Sequence, residues 1–192
     1  MTKTKRQRRS NLIFLVIIVL LLIPQTRKPI QVVVNKGIAY FVKPSAIDQS
    51  ERIQISNNDW ALTDLNGNII NYTSLEGKVL FVNFWATWCP PCIAEMDSIN
   101  ALYEHYKTND DVAFIIVSNE DVEVIRKFMA SKNYSFPVLQ SVNEYPPEFN
   151  VSSIPRTFII SPSGAIVVDK TGAANWDSED VITIINDLFT GS

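Results

Sequence analysis

The two cysteines of this chain stand three positions apart, in Trp85-Ala86-Thr87-Trp88-Cys89-Pro90-Pro91-Cys92. A pair so close stabilises a fold poorly as a staple, because closing a four-residue loop removes little entropy from the unfolded chain. It is suited to opening and closing. A thiolate rather than a thiol attacks a disulfide, and an ordinary Cys with a pKa of about 8.5 is mostly protonated at neutral pH. The string lies between a nearly all-apolar run, Val79 to Trp85, and a segment in which Ile93, Met96, Ile99, Leu102, Tyr103 and Tyr106 recur at helical spacing. Cys89 is thus expected at a helix N-terminus, where unpaired N–H groups and the positive end of the dipole favour the anion. Cys89 is the expected nucleophile. Cys92, one turn on, is the expected resolving thiol, and the intervening prolines suit early helix positions that need no N–H. The competing reading, half of a zinc site, needs about four ligands, and His105 is the only other non-carboxylate candidate. His105 reads as a solvated helix residue, no metal is expected, and the redox-active pair itself is the only cofactor-like group expected.

The elements that position this pair are legible as an α/β fold. Trp60 to Leu65 and Ile69 to Tyr72 flank Asn66-Gly67, a hairpin signal in which the turn residues supply positive φ. Val79 to Trp85 is expected as a central strand buried on both faces. Val112 to Val117 is a second apolar strand, followed by Ser118 and Asp121 as a capping signature for a helix reaching about Lys132. Phe136 to Leu139 is a short strand, and Phe158 to Ile160 with Ile166 to Val168 form a hairpin around Ser161-Pro162-Ser163-Gly164. A last helix, capped by Asp177 or Ser178, runs from about Glu179 to Phe189. Strands alternating with helices imply parallel pairing and the hairpins add antiparallel strands, so a mixed central sheet flanked by helices is expected.

Residues 1–28 carry seven Lys or Arg and no acid, which leaves ten basic and twenty acidic residues in 29–192, a net −10 for the body. An acidic body argues against nucleic acid as a partner. The basic start, including Lys3, Lys5, Arg6, Arg8 and Arg9, precedes an unbroken apolar run from Leu12 to Ile23. That run makes about 18 Å of helix against a bilayer core of about 30 Å, the length of a signal-peptide core. No small-x-small cleavage site follows it, which favours a retained anchor extended by snorkelling Arg27 and Lys28. In both cases the basic flank stays in the cytoplasm and the body is exported. The expected organisation is a basic cytoplasmic tail over 1–10, an anchor or signal segment over 11–28, a juxtamembrane linker over 29–57 and a catalytic domain over 58–192. The short apolar patch of the linker either lies on the membrane or packs under the domain.

From about Trp60 to Phe189 the chain resembles the thioredoxin superfamily, in its exported TlpA/ResA-like branch. The Trp-x-x-Trp-Cys-x-x-Cys string after an apolar strand carries the resemblance. It implies a thioredoxin-like fold with an N-terminal β-hairpin and an extra αβ unit between Asp121 and Leu139. The branch has Asn six positions before the first Cys, here Asn83, and Glu three after the second, here Glu95. The resemblance makes Glu95 a candidate proton acceptor for the resolving thiol; the alternative is a solvated helix glutamate. It also implies a cis-proline facing the disulfide, for which Ile154-Pro155 is the candidate, with Trp88, Ile154 and Pro155 contacting substrate. Pro146, Pro147 and Pro162 read as loop or turn residues. One departure is Asp97, where thioredoxins carry a helix-kinking proline; a straighter helix and a carboxylate close to Cys92 are expected. The implied activity is thiol:disulfide exchange on exported proteins with cysteines, apocytochromes awaiting haem among them, with electrons from a membrane thiol carrier. The implied location is the inner membrane, with the catalytic domain on the periplasmic side, anchored or as a cleaved soluble form. Two alternatives are a thiol peroxidase, for which Thr87 stands two rather than three residues before Cys89, and a tethered binding module that holds clients without chemistry.

Overall fold

In a computed structural model, residues 3–56 and 59–190 are described. The chain begins with helices α1 (Lys3–Leu22) and α2 (Pro24–Phe41), followed by strands β1 (Ala61–Asp64), β2 (Ile69–Asn71) and β3 (Val79–Phe84). Helix α3 (Pro90–Tyr106), strand β4 (Val112–Val117), helix α4 (Val122–Lys132) and strand β5 (Val138–Ser141) come next, then β6 (Arg156–Ile160), β7 (Ile166–Thr171) and α5 (Glu179–Thr190). The seven strands form one mixed sheet in the order β2-β1-β5-β4-β3-β6-β7. Strands β3, β4 and β5 run parallel, and β1 and β6 pair antiparallel with β5 and β3.

The crossovers β3–α3–β4 and β4–α4–β5 step in the same direction along the sheet, so right-handed connections put both helices on one face. Side chains alternate along β3: Val79 and Phe81 join Met96, Ile99, Ile125 and Ile185 beneath α3, α4 and α5. Leu80, Val82 and Phe84 point to the other face, where Trp60, Tyr72 and Phe149 cover them in place of helices. Asn83 follows the first set and therefore faces α3.

Local differences from the sequence reading have physical causes. Of the Asn66-Gly67 turn only Gly67 has positive φ (90°), because the Asp64 carboxylate accepts from the N–H groups of Asn66 and Asn68 and shapes a longer loop. Asp121, not Ser118, is the N-cap of α4 and accepts from the N–H of Glu123. Strand β5 begins at Val138 because Pro137 has no N–H for the ladder.

The larger correction concerns the stretch expected to be a linker over 29–57. Pro24–Phe41 is helix, with Pro29 inside it, and it packs along α3 through buried Ala39. The chain after it is pinned onto the domain: Asn175 N–H donates to the Val42 carbonyl, Ile47 N–H to Val167, and Ile166 N–H to Ile53. The patch thus packs under the domain with one of its faces. The expected boundary between 57 and 58 lies outside the described residues.

Candidate active site

Cys89 is the N-cap residue of α3, with Pro90 and Pro91 in the first helical positions. Two of the N–H groups that a helix start leaves unpaired are therefore missing, and the remaining one, on Cys92, donates to Cys89 Sγ at 3.2 Å. The helix begins at once behind the pair, with Ile93 N–H donating to the Cys89 carbonyl at 3.0 Å. Cys89 and Cys92 are joined as a disulfide across a Cα separation of 5.2 Å. Cys89 retains 3% of its surface and Cys92 none, so the outer sulfur is that of Cys89.

The antiparallel register of β3 and β6 pairs Phe84 with Arg156, so the chain before β6 runs past the loop before Cys89. The Ile154–Pro155 bond is cis, and the Ile154 carbonyl oxygen lies 3.8 Å from Cys89 Sγ. Pro155 is buried and Ile154 half-buried, while Trp88 projects outward with 64% of its surface exposed. Ile154 thus adjoins the outer sulfur, and Trp88, next to Cys89 in the chain, faces solvent.

Glu95, on α3, is fully buried, which removes the solvated-glutamate alternative. Asn83 Nδ2 donates to its Oε1 at 2.9 Å, and Trp176 Nε1 and Ala174 N–H donate to its Oε2 at 2.9 and 3.2 Å. Burial pushes its pKa up to about 8 in spite of those three donors. The carboxyl therefore holds a proton through most of the neutral range. Asn83 Nδ2 also donates to Thr157 Oγ1 at 2.7 Å, across the strand pair, while Asn83 Oδ1 is buried without a partner. Exchanging the two ends of this amide would turn its oxygen toward a protonated Glu95.

Asp97 does not approach the pair. It lies on the outer side of α3, in a salt bridge with Lys36 of α2 and accepting from Tyr134 Oη at 2.5 Å. Its partial burial works against the charge, but the bonds from Lys36 and Tyr134 prevail and hold the carboxyl below its usual value. The carboxyl that α3 turns inward, one turn on from Cys92, is Glu95. His105 is exposed, and no cluster of three or more His, Cys, Asp or Glu fit for a metal ion occurs among the described residues.

Three contributors escaped sequence reasoning. Trp176 reaches Glu95 from 81 positions away, and only the tertiary fold could reveal it. Lys28 Nζ donates to the Thr87 carbonyl at 2.8 Å. Glu120 accepts from Thr87 N–H at 2.6 Å and from Thr87 Oγ1 at 2.8 Å, with Ser118 Oγ nearby at 3.2 Å. A signal for Glu120 did exist: parallel β3 and β4 end side by side, Phe84 opposite Val117, so residues just past one strand meet those just past the other. With its N–H, hydroxyl and carbonyl all bonded, Thr87 fixes the approach to Cys89. Glu120→Ala leaves the buried Thr87 donors without their acceptor, and a loss of about 2 kcal/mol in the denaturant unfolding of the oxidised protein is expected.

A reactive disulfide at the head of the first helix after a central parallel strand, on a mixed sheet with a cis-proline segment beside it, defines a thioredoxin-like thiol:disulfide oxidoreductase. The chain belongs to the AhpC/TSA family, whose model matches residues 56–168. The thiol-disulfide oxidoreductase ResA of Geobacillus kaustophilus is 30% identical over 153 residues, covering 76% of this chain and 86% of that protein. ResA of Bacillus subtilis is 35% identical over 115 residues, 59% of this chain and 64% of that protein. Among solved structures, a thioredoxin-like protein of Porphyromonas gingivalis superposes with a TM-score of 0.54 at 25% identity, over 72% of this chain and 95% of its own. A secreted thiol-disulfide isomerase of Corynebacterium glutamicum gives a TM-score of 0.59 at 21% identity, over 76% and 90%, a likeness of fold alone.

Proposed function

We propose that this oxidoreductase works in the reducing direction on exported proteins with cysteines, apocytochromes awaiting haem among them, from an anchor in the inner membrane. The Cys89 thiolate attacks one sulfur of a client disulfide, forming a mixed disulfide and releasing the client's other sulfur as a thiolate. The Cys92 thiolate then attacks Cys89 Sγ, the client's second sulfur leaves, and the enzyme is left as its disulfide. Two electrons pass to the client for each cycle, and a membrane thiol carrier restores them. Glu95 in its ionised form, a fraction that grows as the pH nears its pKa of about 8, takes the proton of Cys92 as that thiol becomes the attacking group. An extended client segment lies along Ile154 and Pro155 by backbone pairing, with Trp88 as an apolar contact.

The observation that carries the direction is the sparse donor set at Cys89. A strong oxidant owes its potential to a well-stabilised thiolate, whereas prolines at both early helix positions leave Sγ a single N–H. Equilibration of the purified protein with glutathione buffers measures the potential of the Cys89/Cys92 couple. A value near about −270 mV is expected, and one near about −120 mV refutes the reducing assignment.

The membrane reading rests on the first 28 residues, with 1–10 as the cytoplasmic tail, 11–28 as the anchor and the domain from 58 on the periplasmic side. Among the described residues no single helix is long and apolar enough to cross a membrane, but Gln7–Leu20 and Gln25–Phe41 together are, with a bend of 103° between them. The side chains of Leu12 through Val16 lie exposed along α1, with nothing from the domain covering them. Lipid is the medium that accepts such a surface.

A further inference from the structure

Helix α2 has two faces, and the domain uses only one. Lys28, Val32, Asn35 and Ala39 lie along the side turned to α3 and the site, with Lys28 bonded to Thr87, Val32 beside Ile93 and Ala39 buried. At 3.6 residues per turn, Val34, Ile38 and Phe41 recur away from that side, while Val33 and Tyr40 stand at its margin, each at the edge of a cleft against the domain. All five are exposed, Phe41 to 82%. A soluble domain does not carry such a stripe on a helix already docked by its other side.

The surroundings say what covers it. The stripe follows the apolar run that ends at Ile23, in which Leu12 to Val16 and Ile18 to Leu20 are exposed in the same manner. The two helix axes meet at 103°, so an α1 directed into a bilayer lays α2 nearly flat in the membrane plane. From Pro24 to Ile47 there is no acidic residue; Lys28, Lys36 and Lys43 are bonded to Thr87, Asp97 and Asp180 of the domain, and Arg27, next to the anchor, is the exposed cation left for an anionic headgroup. We propose that α2 is an interfacial helix that lies on the bilayer through Val34, Ile38 and Phe41 and holds the catalytic domain at a fixed orientation on the membrane. The proposal rests on the anchored reading given above.

The orientation has a consequence for the reaction. Lys28 near the start of α2 meets Thr87 and Lys36 meets Asp97, so α2 and α3 run in the same direction. The head of α3, with Cys89, is therefore at the end of α2 where the chain enters the anchor. The disulfide sits at the membrane-entry edge of the domain, within reach of a thiol carrier embedded in the same bilayer, while distant exported clients must approach the membrane to be served.

The test uses the full chain with Cys89 and Cys92 replaced by Ser, a single new cysteine carrying a bimane label, and vesicles of phosphatidylethanolamine and phosphatidylglycerol with or without brominated acyl chains. Labels at Ile38→Cys and Phe41→Cys are expected to lose most of their fluorescence in brominated vesicles, as does Leu15→Cys in α1. Asp110→Cys, at the far end of α3, is expected to keep its fluorescence. Before labelling, a membrane-impermeant maleimide should react with Asp110→Cys and not with the other three until detergent is added. Unquenched labels at 38 and 41 overturn the proposal, whether the maleimide reaches them, which places the stripe in water, or not, which gives it to a second copy or another protein. Quenching at Leu15 alone overturns the interfacial helix and leaves the anchor standing. No quenching at Leu15 overturns both.

Discussion

Cys92→Ala converts the enzyme into a trap: it attacks a client disulfide once and remains bonded to the client through Cys89. Cys89→Ala captures nothing. The asymmetry follows from position, because Cys89 is the outer sulfur, receives the Cys92 N–H and lies beside the Ile154 carbonyl, whereas Cys92 has no exposed surface. A resolving thiol held one helical turn away acts at an effective concentration that free thiols do not approach, on the order of 10⁵ M for well-oriented groups. Multiple-turnover reduction should fall by at least about a thousandfold in either variant, while only Cys92→Ala gives a dithiothreitol-sensitive adduct on non-reducing gels. A binding module would hold its clients equally well without either sulfur. Client capture that survives loss of both cysteines would refute the exchange mechanism.

The second large effect is at Glu95. Its folded pKa of about 8 stands above the ordinary 4.5 because burial disfavours the charge. Between those two values the unfolded chain has released the proton and the folded chain retains it, so stability is complete below about pH 4.5 and is lost as the pH rises through about 8. The gap between 4.5 and about 8 corresponds to on the order of 4 to 5 kcal/mol for the fully ionised group. Glu95→Gln keeps the size and an oxygen for Trp176 and Ala174 but has no proton to lose. Urea midpoints of the wild type should therefore fall between about pH 4.5 and 8 and level off above, and those of the variant should lie nearly level throughout. The same substitution should remove the limb near pH 8 from the rate profile of disulfide exchange, an effect that mere support of the fold would not produce. Parallel pH curves for the two proteins would remove Glu95 from both roles.

Much of this site is visible along the chain because its parts are local. The apolar run before Trp85 can only be a buried strand, the amphipathic spacing after Cys92 can only be a helix, and a cysteine between them is placed at the helix start by chain connectivity. Asn83, Cys89, Cys92 and Glu95 lie within thirteen residues, so one strand and one helix position them all. What is not local was misread or missed. Asp97 and Glu95 are two residues apart on the same helix, and periodicity alone did not say which of them faces the sheet; the partner helix α2, with Lys36, draws Asp97 outward. The stretch 29–57 carries Pro29, three consecutive β-branched valines at 32–34 and Gly37, all weak helix signals, and α2 is held by contacts with α3 and by the bond from Lys28 to the loop before Cys89.

The chemistry is written along the chain, as two sulfurs at the start of a helix behind a buried strand with a carboxyl one turn further on, because bonded geometry and helical periodicity act over a few residues. The tertiary structure alone decided how that chemistry is tuned. Whether Glu95 is ionised depends on Trp176, Ala174 and Asn83 closing over it, how Cys89 is presented depends on Glu120, Lys28 and the Ile154 carbonyl, and all but Asn83 of these come from distant parts of the chain. Desolvation and hydrogen bonding are properties of what surrounds a group in space, and only the folded chain assembles those surroundings.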